Sequence, residues 1–387
     1  MKKIFIITSY FPPDIGAASN RIFHLAEGLE SSGFKVSVIT PLPNYPTGKI
    51  FNYYKGKFKH SVIEKNITIH RLWIYATTSR NKFVRLLAML SYSFSLVWFF
   101  TFNKIPKTVI VQSPPLLVAF TTMFFLSSKT RKLILNVSDL WPIAGLELGV
   151  FKRNFIFKVL QNIERFNYKK AHLVLGQSEE ILTHITSLFP KKKTLLYRNY
   201  PNFKTPEIIF KKQKTKKLKI VYAGLLGVAQ GIFELCQKLY YHNIEFHIYG
   251  AGAEQTQIER YVIDNPQLPI IFHGKISRDQ IHYELVKYDI TIVPLAKRIY
   301  GSVPSKIFEY SKLGMPIIYF GGGEGEDIIN KYKLGWVGKA GDYQNLNDLI
   351  STIKVDQITR SYKDKIIKTA YKEFNLKKQL MELSKLI

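Results

Sequence analysis

Residues 219–231 read KIVYAGLLGVAQG: a short apolar run, two glycines, and then a helical stretch that starts after Gly231. Five apolar-biased residues bounded by glycine are a buried parallel strand in outline, and Gly224 and Gly227 let the chain turn close to its own backbone. The same order opens the chain. Residues 3–8 read as a strand around the apolar Ile4-Phe5-Ile6-Ile7, the loop Pro12-Pro13-Asp14-Ile15-Gly16-Ala17-Ala18 is rich in turn and small residues, and 17–32 place Ile22, Leu25, Ala26 and Leu29 on one helical face. A strand, a small-residue turn and an amphipathic helix therefore begin each half of the sequence.

Between these points the alternation continues. Residues 36–40, 67–72, 108–111, 133–137 and 173–176 read as strands in the first half, and 245–249, 270–273, 289–294 and 316–320 in the second. Strands separated by helical patterns specify an α/β fold of two doubly wound, Rossmann-like parallel-sheet domains, whose ligands sit beyond the carboxyl ends of the strands. With 387 residues, each domain can bury its own core. The division predicted is a domain over 1–203, a basic linker over 204–218 carrying Lys211, Lys212, Lys214, Lys216 and Lys217, a second domain over 219–365, and a terminal helical segment over 366–387.

Fifty-six Lys and Arg against 28 Asp and Glu leave a net charge of +28, which implies an anionic partner: phosphorylated ligands, an acidic membrane surface or nucleic acid. A lysine-rich codon bias is the competing explanation. No nucleic-acid-reading motif accompanies the charge, so no nucleic-acid partner is expected. A single cysteine, Cys236, excludes an internal disulfide framework and fits a reducing compartment, and Met1-Lys2-Lys3 runs into a strand too short for a secretory signal. Two apolar segments, 83–102 and 115–128, stand out. A buried crossover helix is one reading of each; the reading favoured is membrane attachment, with Trp98, Phe99, Phe100 and Phe102 as anchors beside flanking cations.

Several residues could carry chemistry. Gly16 and the pair Gly224 and Gly227, with Gln230, lie in strand-to-helix turns that suit an anion at a helix N-terminus. In Gly301-Ser302-Val303-Pro304-Ser305-Lys306-Ile307-Phe308-Glu309-Tyr310, the proline starts a helix, Ser305 and Lys306 make its first turn basic, and Glu309 follows about one turn later. That arrangement suits a diphosphate and a polyhydroxyl group; a solvated Glu309 is the plainer alternative. Asp139, just past a strand, could act as acid or base, or could cap the next helix. No His/Cys metal-ligand spacing, phosphate-loop signature or serine nucleophile elbow is present, so no cofactor or metal is expected.

Taken together, Tyr10-Phe11-Pro12-Pro13, Pro43-Asn44-Tyr45-Pro46-Thr47-Gly48, Ser138-Asp139-Leu140-Trp141-Pro142, Gly224 to Gly231, Asp289 to Leu295 and Pro304 to Tyr310 resemble the retaining family-4 glycosyltransferases of GT-B fold, in particular their WbuB-like branch. The resemblance spans nearly the whole chain. It implies a GT-B fold with the two domains facing a central cleft, and a nucleotide-sugar donor, most simply a UDP-sugar, bound mainly by the second domain. It also implies a polyprenyl-diphosphate-linked saccharide acceptor in surface-polysaccharide synthesis at the cytoplasmic face of the bacterial inner membrane. Glu309 matches the second glutamate of the family's Glu-x7-Glu motif, which holds the donor ribose, and Gly274, Lys275 and Ile276 match the segment that meets the nucleobase. The terminal segment is expected to pack back towards the first domain. Gly301 stands where the family's first glutamate is common, and Leu225 and Gln230 stand where an Arg/Lys pair is common, so Lys306 and Arg298 are the cations expected at the diphosphate. Asp139 and Lys306 are the catalytic candidates. A UDP-sugar 2-epimerase of similar fold and a non-catalytic basic binding protein are the rival readings.

Overall fold

The computed structural model describes residues 1–79, 81–150, 152–206 and 217–387. Most of the expected linker, 207–216, lies outside the described residues. The chain forms two compact units. The first takes Met1–Asn199, Ile299–Ser302 and Lys377–Ile387; the second takes Tyr200–Arg298 and Val303–Leu376.

In the first unit the order is β1 (Lys3–Ile7), α1 (Ala17–Ser31), β2 (Lys35–Pro41), β3 (Lys59–Glu64), β4 (Ile67–Leu72), α2 (Lys82–Phe102), β5 (Thr108–Ser113), α3 (Leu116–Leu126), β6 (Lys132–Val137), α4 (Ile143–Glu147), α5 (Phe155–Lys170), β7 (Leu173–Gly176), α6 (Glu179–Leu188) and β8 (Thr194–Leu196). The sheet runs β3-β4-β2-β1-β5-β6-β7-β8, parallel except that β3 pairs antiparallel with β4. Parallel strands covered on both faces have to be apolar along their length. Accordingly, every residue of β5 and of β7 is buried. Chain order reverses beside β1, whose neighbours are β2 and β5, so the crevice of this sheet opens past Ile7 and Ser113.

The second unit contains β9 (Leu218–Leu225), α7 (Ile232–Lys238), β10 (Ile244–Ala251), α8 (Gln255–Asp264), β11 (Ile270–Gly274), α9 (Arg278–Leu285), β12 (Ile290–Pro294), α10 (Lys306–Lys312), β13 (Ile317–Phe320), α11 (Glu324–Tyr332), β14 (Gly335–Val337), α12 (Tyr343–Thr352) and α13 (Arg360–Glu373). A last helix, α14 (Leu376–Leu386), follows. The sheet is wholly parallel, β11-β10-β9-β12-β13-β14, and its order reverses between β9 and β12. The terminal segment is thus two helices broken at Phe374 and Asn375, and only residues from Lys377 onward group with the first unit. There Gln379 accepts from the Arg198 amide at 2.7 Å and donates to the Arg198 carbonyl at 3.0 Å. Leu380 packs on Gly28, where a β-carbon would come within 2.2 Å of its side chain.

The two apolar segments fold differently. Seven of the eleven residues of α3 are buried, so the segment around 115–128 is a core helix, with Phe124 and Phe125 exposed at its end. Helix α2 buries Tyr92, Leu96 and Phe99 against the sheet, and the Tyr92 hydroxyl donates to the carbonyls of Thr8 (2.9 Å) and Ile39 (3.1 Å). Its other face leaves Phe83, Leu87, Leu90, Phe94, Trp98 and Phe102 exposed at three- and four-residue spacing. By length and composition α2 is the one described helix able to cross a bilayer, but its C-terminal half is committed to this core. Tyr92→Phe should lower unfolding free energy by about 1 kcal/mol, the net worth of the buried donor, with an unchanged slope in urea titration.

Candidate functional site

The second unit gathers polar groups where its strand order reverses. At the end of β9, a β-carbon on Gly224 would lie 2.7 Å from Lys306 Cε and 2.9 Å from the Tyr222 hydroxyl, so the glycine is what lets the lysine lie across the backbone. The Tyr222 hydroxyl donates to the Leu225 carbonyl at 2.6 Å and the Tyr310 hydroxyl donates to the Ala223 carbonyl at 2.9 Å. Two buried phenols therefore fix the end of β9 from beneath, and burial pushes both hydroxyls above their ordinary range.

Lys306 opens α10, and Glu309 lies one turn along it. The Lys306 ammonium is 4.0 Å from Glu309 Oε2 and 5.2 Å from the centre of the Tyr310 ring. Glu309 Oε1 pairs with His282 Nε2 at 2.8 Å, and that imidazole stacks on Phe203 with ring centres 3.9 Å apart. Lys312 in turn donates to the Phe203 carbonyl at 2.6 Å. Glu309 is consequently a held carboxylate rather than a solvated one. Ser305 precedes α10 in helical conformation without a side-chain cap, so its hydroxyl is not used to close that helix.

The turn after β9 differs from expectation. The first amides of α7, Ile232 and Phe233, donate to Glu254 Oε2 at 3.0 and 3.2 Å. A buried carboxylate of the protein already fills the place expected for a ligand anion. Gly227 and Gln230 remain together above it, with the Gln230 side-chain oxygen buried and unpartnered. Gly274, in left-handed conformation at φ 72°, ends β11 with open space around it, followed by exposed Lys275 and by Ile276 packed on the core. Arg298 lies over the turn before α11, where a β-carbon on Gly323 would meet its Nε at 2.4 Å.

In the first unit, Gly16 stands at the N-cap of α1 with φ 156°, beside Tyr45. Buried Asp14 accepts from the amides of Asn44 (2.9 Å) and Tyr45 (2.8 Å), which ties the following loop to this one. The main polar cluster surrounds Arg21 of α1. Its buried guanidinium donates to Asn136 Oδ1 at 2.7 Å, to the Tyr197 carbonyl at 3.1 Å and to Gln177 Oε1 at 3.2 Å. Gln177 also donates to the Ser138 carbonyl, and Thr8 donates to Gln112 across β1 and β5 at 2.5 Å. Asp139 sits at this rim. Desolvation pushes its carboxyl up from 3.8 to about 6 against the pull of Arg21. It does not cap α4, whose N-cap is Pro142 with no side-chain cap.

Gly301 belongs to the same unit. Its amide donates to Glu180 Oε2 at 2.8 Å, its carbonyl accepts from the Ser178 hydroxyl at 2.7 Å, and φ is 83°. A β-carbon there would meet Leu140 and Ile181 at 3.0 Å and would have to hold this left-handed backbone, so a side chain at the position is strained. His282, Glu254 and Arg21 were outside the expected site. No local pattern marks them, because each acts on a residue distant in sequence. Among the described residues no group of three or more His, Cys, Asp or Glu could hold a metal ion.

The Asp139 shift fixes a pH dependence. Between about pH 4 and pH 6 the folded chain keeps a proton that the unfolded chain has lost, so this group makes stability fall as pH rises through that window. Asp139→Asn should flatten that slope in denaturant titrations at stepped pH; an unchanged slope would show that Asp139 titrates normally.

Residues 204–373, less than half of the chain, match the family model described as Glycosyl transferases group 1. No curated protein matches the sequence. Solved structures resemble the whole chain in fold. Sucrose-phosphate synthase from Thermosynechococcus elongatus superposes with TM-score 0.76 at 13% identity, covering 100% of this chain and 98% of that one. HepE of Anabaena, in complex with UDP-glucose, gives 0.65 at 14% identity with both chains fully covered (100% each). The lipopolysaccharide outer core galactosyltransferase WaaB gives 0.66 at 14% identity, covering 98% of each chain. The chain therefore has the GT-B fold, and its residues 204–373 carry a Glycosyl transferases group 1 domain.

Proposed function

We propose that this protein transfers a sugar from a nucleotide-sugar donor, a UDP-sugar, to a lipid-linked saccharide at the cytoplasmic face of a bacterial membrane, as a member of the WbuB-like branch of the retaining family-4 enzymes. The observation that carries the reading is the assembly of Gly224, Lys306 and Glu309 at the strand-order reversal of the second unit. It lies within the Glycosyl transferases group 1 match. The UDP-glucose complex of HepE and the lipopolysaccharide galactosyltransferase WaaB support the substrate classes.

The chemistry follows from the groups present. Glu309, held through Oε1 by His282 and lying beside the Lys306 ammonium through Oε2, is the carboxylate that would accept from the ribose hydroxyls. The Lys306 ammonium and the first turn of α10 face the diphosphate and stabilise charge growing on the leaving phosphate. With retention, the bond from the sugar's anomeric carbon to the phosphate oxygen breaks. The acceptor oxygen bonds to that carbon on the same face, and its proton passes to the departing phosphate oxygen. Such a transfer needs no metal and no carboxylate dyad. Gly274, Lys275 and Ile276 would border the nucleobase, and Arg298, Ser305, Gly227 and Gln230 the rest of the donor. In the first unit, Gly16, Arg21 and Asp139 are the polar groups at the sheet's crevice; Asp139 would orient a hydroxyl or hold its proton.

Membrane attachment rests on α2. Its exposed stripe from Phe83 to Phe102 presents aromatic and aliphatic side chains, with Arg85 and Lys104 exposed at its ends, and the chain's excess charge favours anionic headgroups. In flotation with vesicles containing phosphatidylglycerol, the double variant Phe94→Ser, Trp98→Ser should remain with the soluble protein while the wild type floats. Equal flotation of both would remove α2 from the contact.

Transfer itself is tested with membranes and radiolabelled UDP-sugars. Lys306→Ala should lower kcat by about a hundredfold or more, the usual cost of losing a donor to developing negative charge. Glu309→Ala should chiefly weaken UDP binding, read by calorimetry. Undiminished transfer in both variants would overturn the assignment.

A further inference from the structure

Between the β3–β4 hairpin and the C-terminal half of α2, the first unit has a groove of about 200 Å³. Phe58 and Trp73 line one side with their rings stacked at 6.3 Å and 14°, and Trp98 and Phe102 line the other, ring centres 4.7 Å apart. Phe99 forms part of the floor. Among the described residues, Lys59 is the groove's sole charged lining residue, and its ammonium lies 5.2 Å from the Phe99 ring centre. Among the described residues no carboxylate pairs with it.

We propose that this groove binds the first stretch of a single isoprenoid chain whose terminal phosphate is met by Lys59, that is, the lipid end of a polyprenyl-phosphate-type acceptor. This rests on the lipid-linked acceptor proposed above. Three observations converge on that occupant. Trp98 and Phe102 are at once a groove wall and the last turns of the exposed α2 stripe, being 53% and 66% exposed, so an apolar path leads from the outer face into the groove. Among the described residues Lys59 has no carboxylate partner and no acidic residue lines the groove, which selects an anionic head. The volume is smaller than the roughly 300–1,000 Å³ that accommodates a complete drug-sized ligand, which suits one chain segment and not the two chains of a phospholipid. A neutral alcohol would gain the aromatic contacts but leave Lys59 without its counter-charge.

Trp73 and Trp98 report occupancy through their fluorescence. The full chain is titrated with farnesyl phosphate, farnesol and short-chain diacyl phosphatidylglycerol, and UDP binding is measured calorimetrically on the same sample. The expected result is a saturable fluorescence change with farnesyl phosphate. Lys59→Met, at an exposed position, should weaken that binding by about tenfold or more, as loss of a charged partner does, while leaving weak farnesol binding unaltered. No response to farnesyl phosphate overturns the groove assignment, as does equal affinity in Lys59→Met. Equally tight binding of the diacyl lipid overturns the single-chain occupant. Farnesyl phosphate binding without UDP binding supports the groove and overturns the donor reading instead.

Discussion

A parallel strand covered on both faces has little room along its length for a polar side chain, and the central strands of both units are largely apolar. The consequence is spatial. Chemistry is concentrated in the residues where each strand leaves the sheet, and it is densest where the chain order of neighbouring strands reverses. In one unit those residues are Thr8, Gln112, Ser138, Asp139 and Gln177; in the other they are Gly224 and the groups that close over it. The buried guanidinium of Arg21 and the phenols of Tyr222 and Tyr310 serve the same end, since each satisfies backbone or amide groups exposed where the ladder stops.

This explains what could be read from the sequence. Apolar runs of strand length gave every central strand to within a residue or two, as with residues 67–72 and 173–176, which match β4 and β7 end for end. The strands without a matching expectation are β3, β8 and β14, each at a sheet edge. The β3–β4 hairpin turns through Lys65 and Asn66, both with positive φ, where a glycine would have announced the turn. The glycines and Lys306 were legible because a turn residue and a helix start leave local marks. His282 was not: it meets Glu309 through a fold that brings α9 beside α10, and nothing in its neighbours' identity signals that meeting. Glu254 was hidden for the same reason, and it alters the meaning of the Gly224 to Gly231 turn by supplying the anion from within.

Hydropathy alone also could not separate α2 from α3. Both are apolar runs between sheet strands, yet α3 is wrapped by α2 and α5 while α2 keeps one side uncovered. The serines of α2 give a retrospective clue. Ser91 accepts from the Tyr75 amide and Ser95 donates to the Trp73 carbonyl, so they mark the side that meets protein, opposite the aromatic stripe.

Gly301 has a consequence for how this sequence could change over time. Its left-handed backbone, the carboxylate on its amide and the walls of Leu140 and Ile181 together make any side chain at the position strained. A one-step replacement by glutamate would meet strain before it could meet a ligand. Leu140 and Ile181 would have to give way by a few tenths of an ångström to admit its β-carbon. The position is therefore entrenched by its neighbours, and variation in what the protein handles has to arise at other positions.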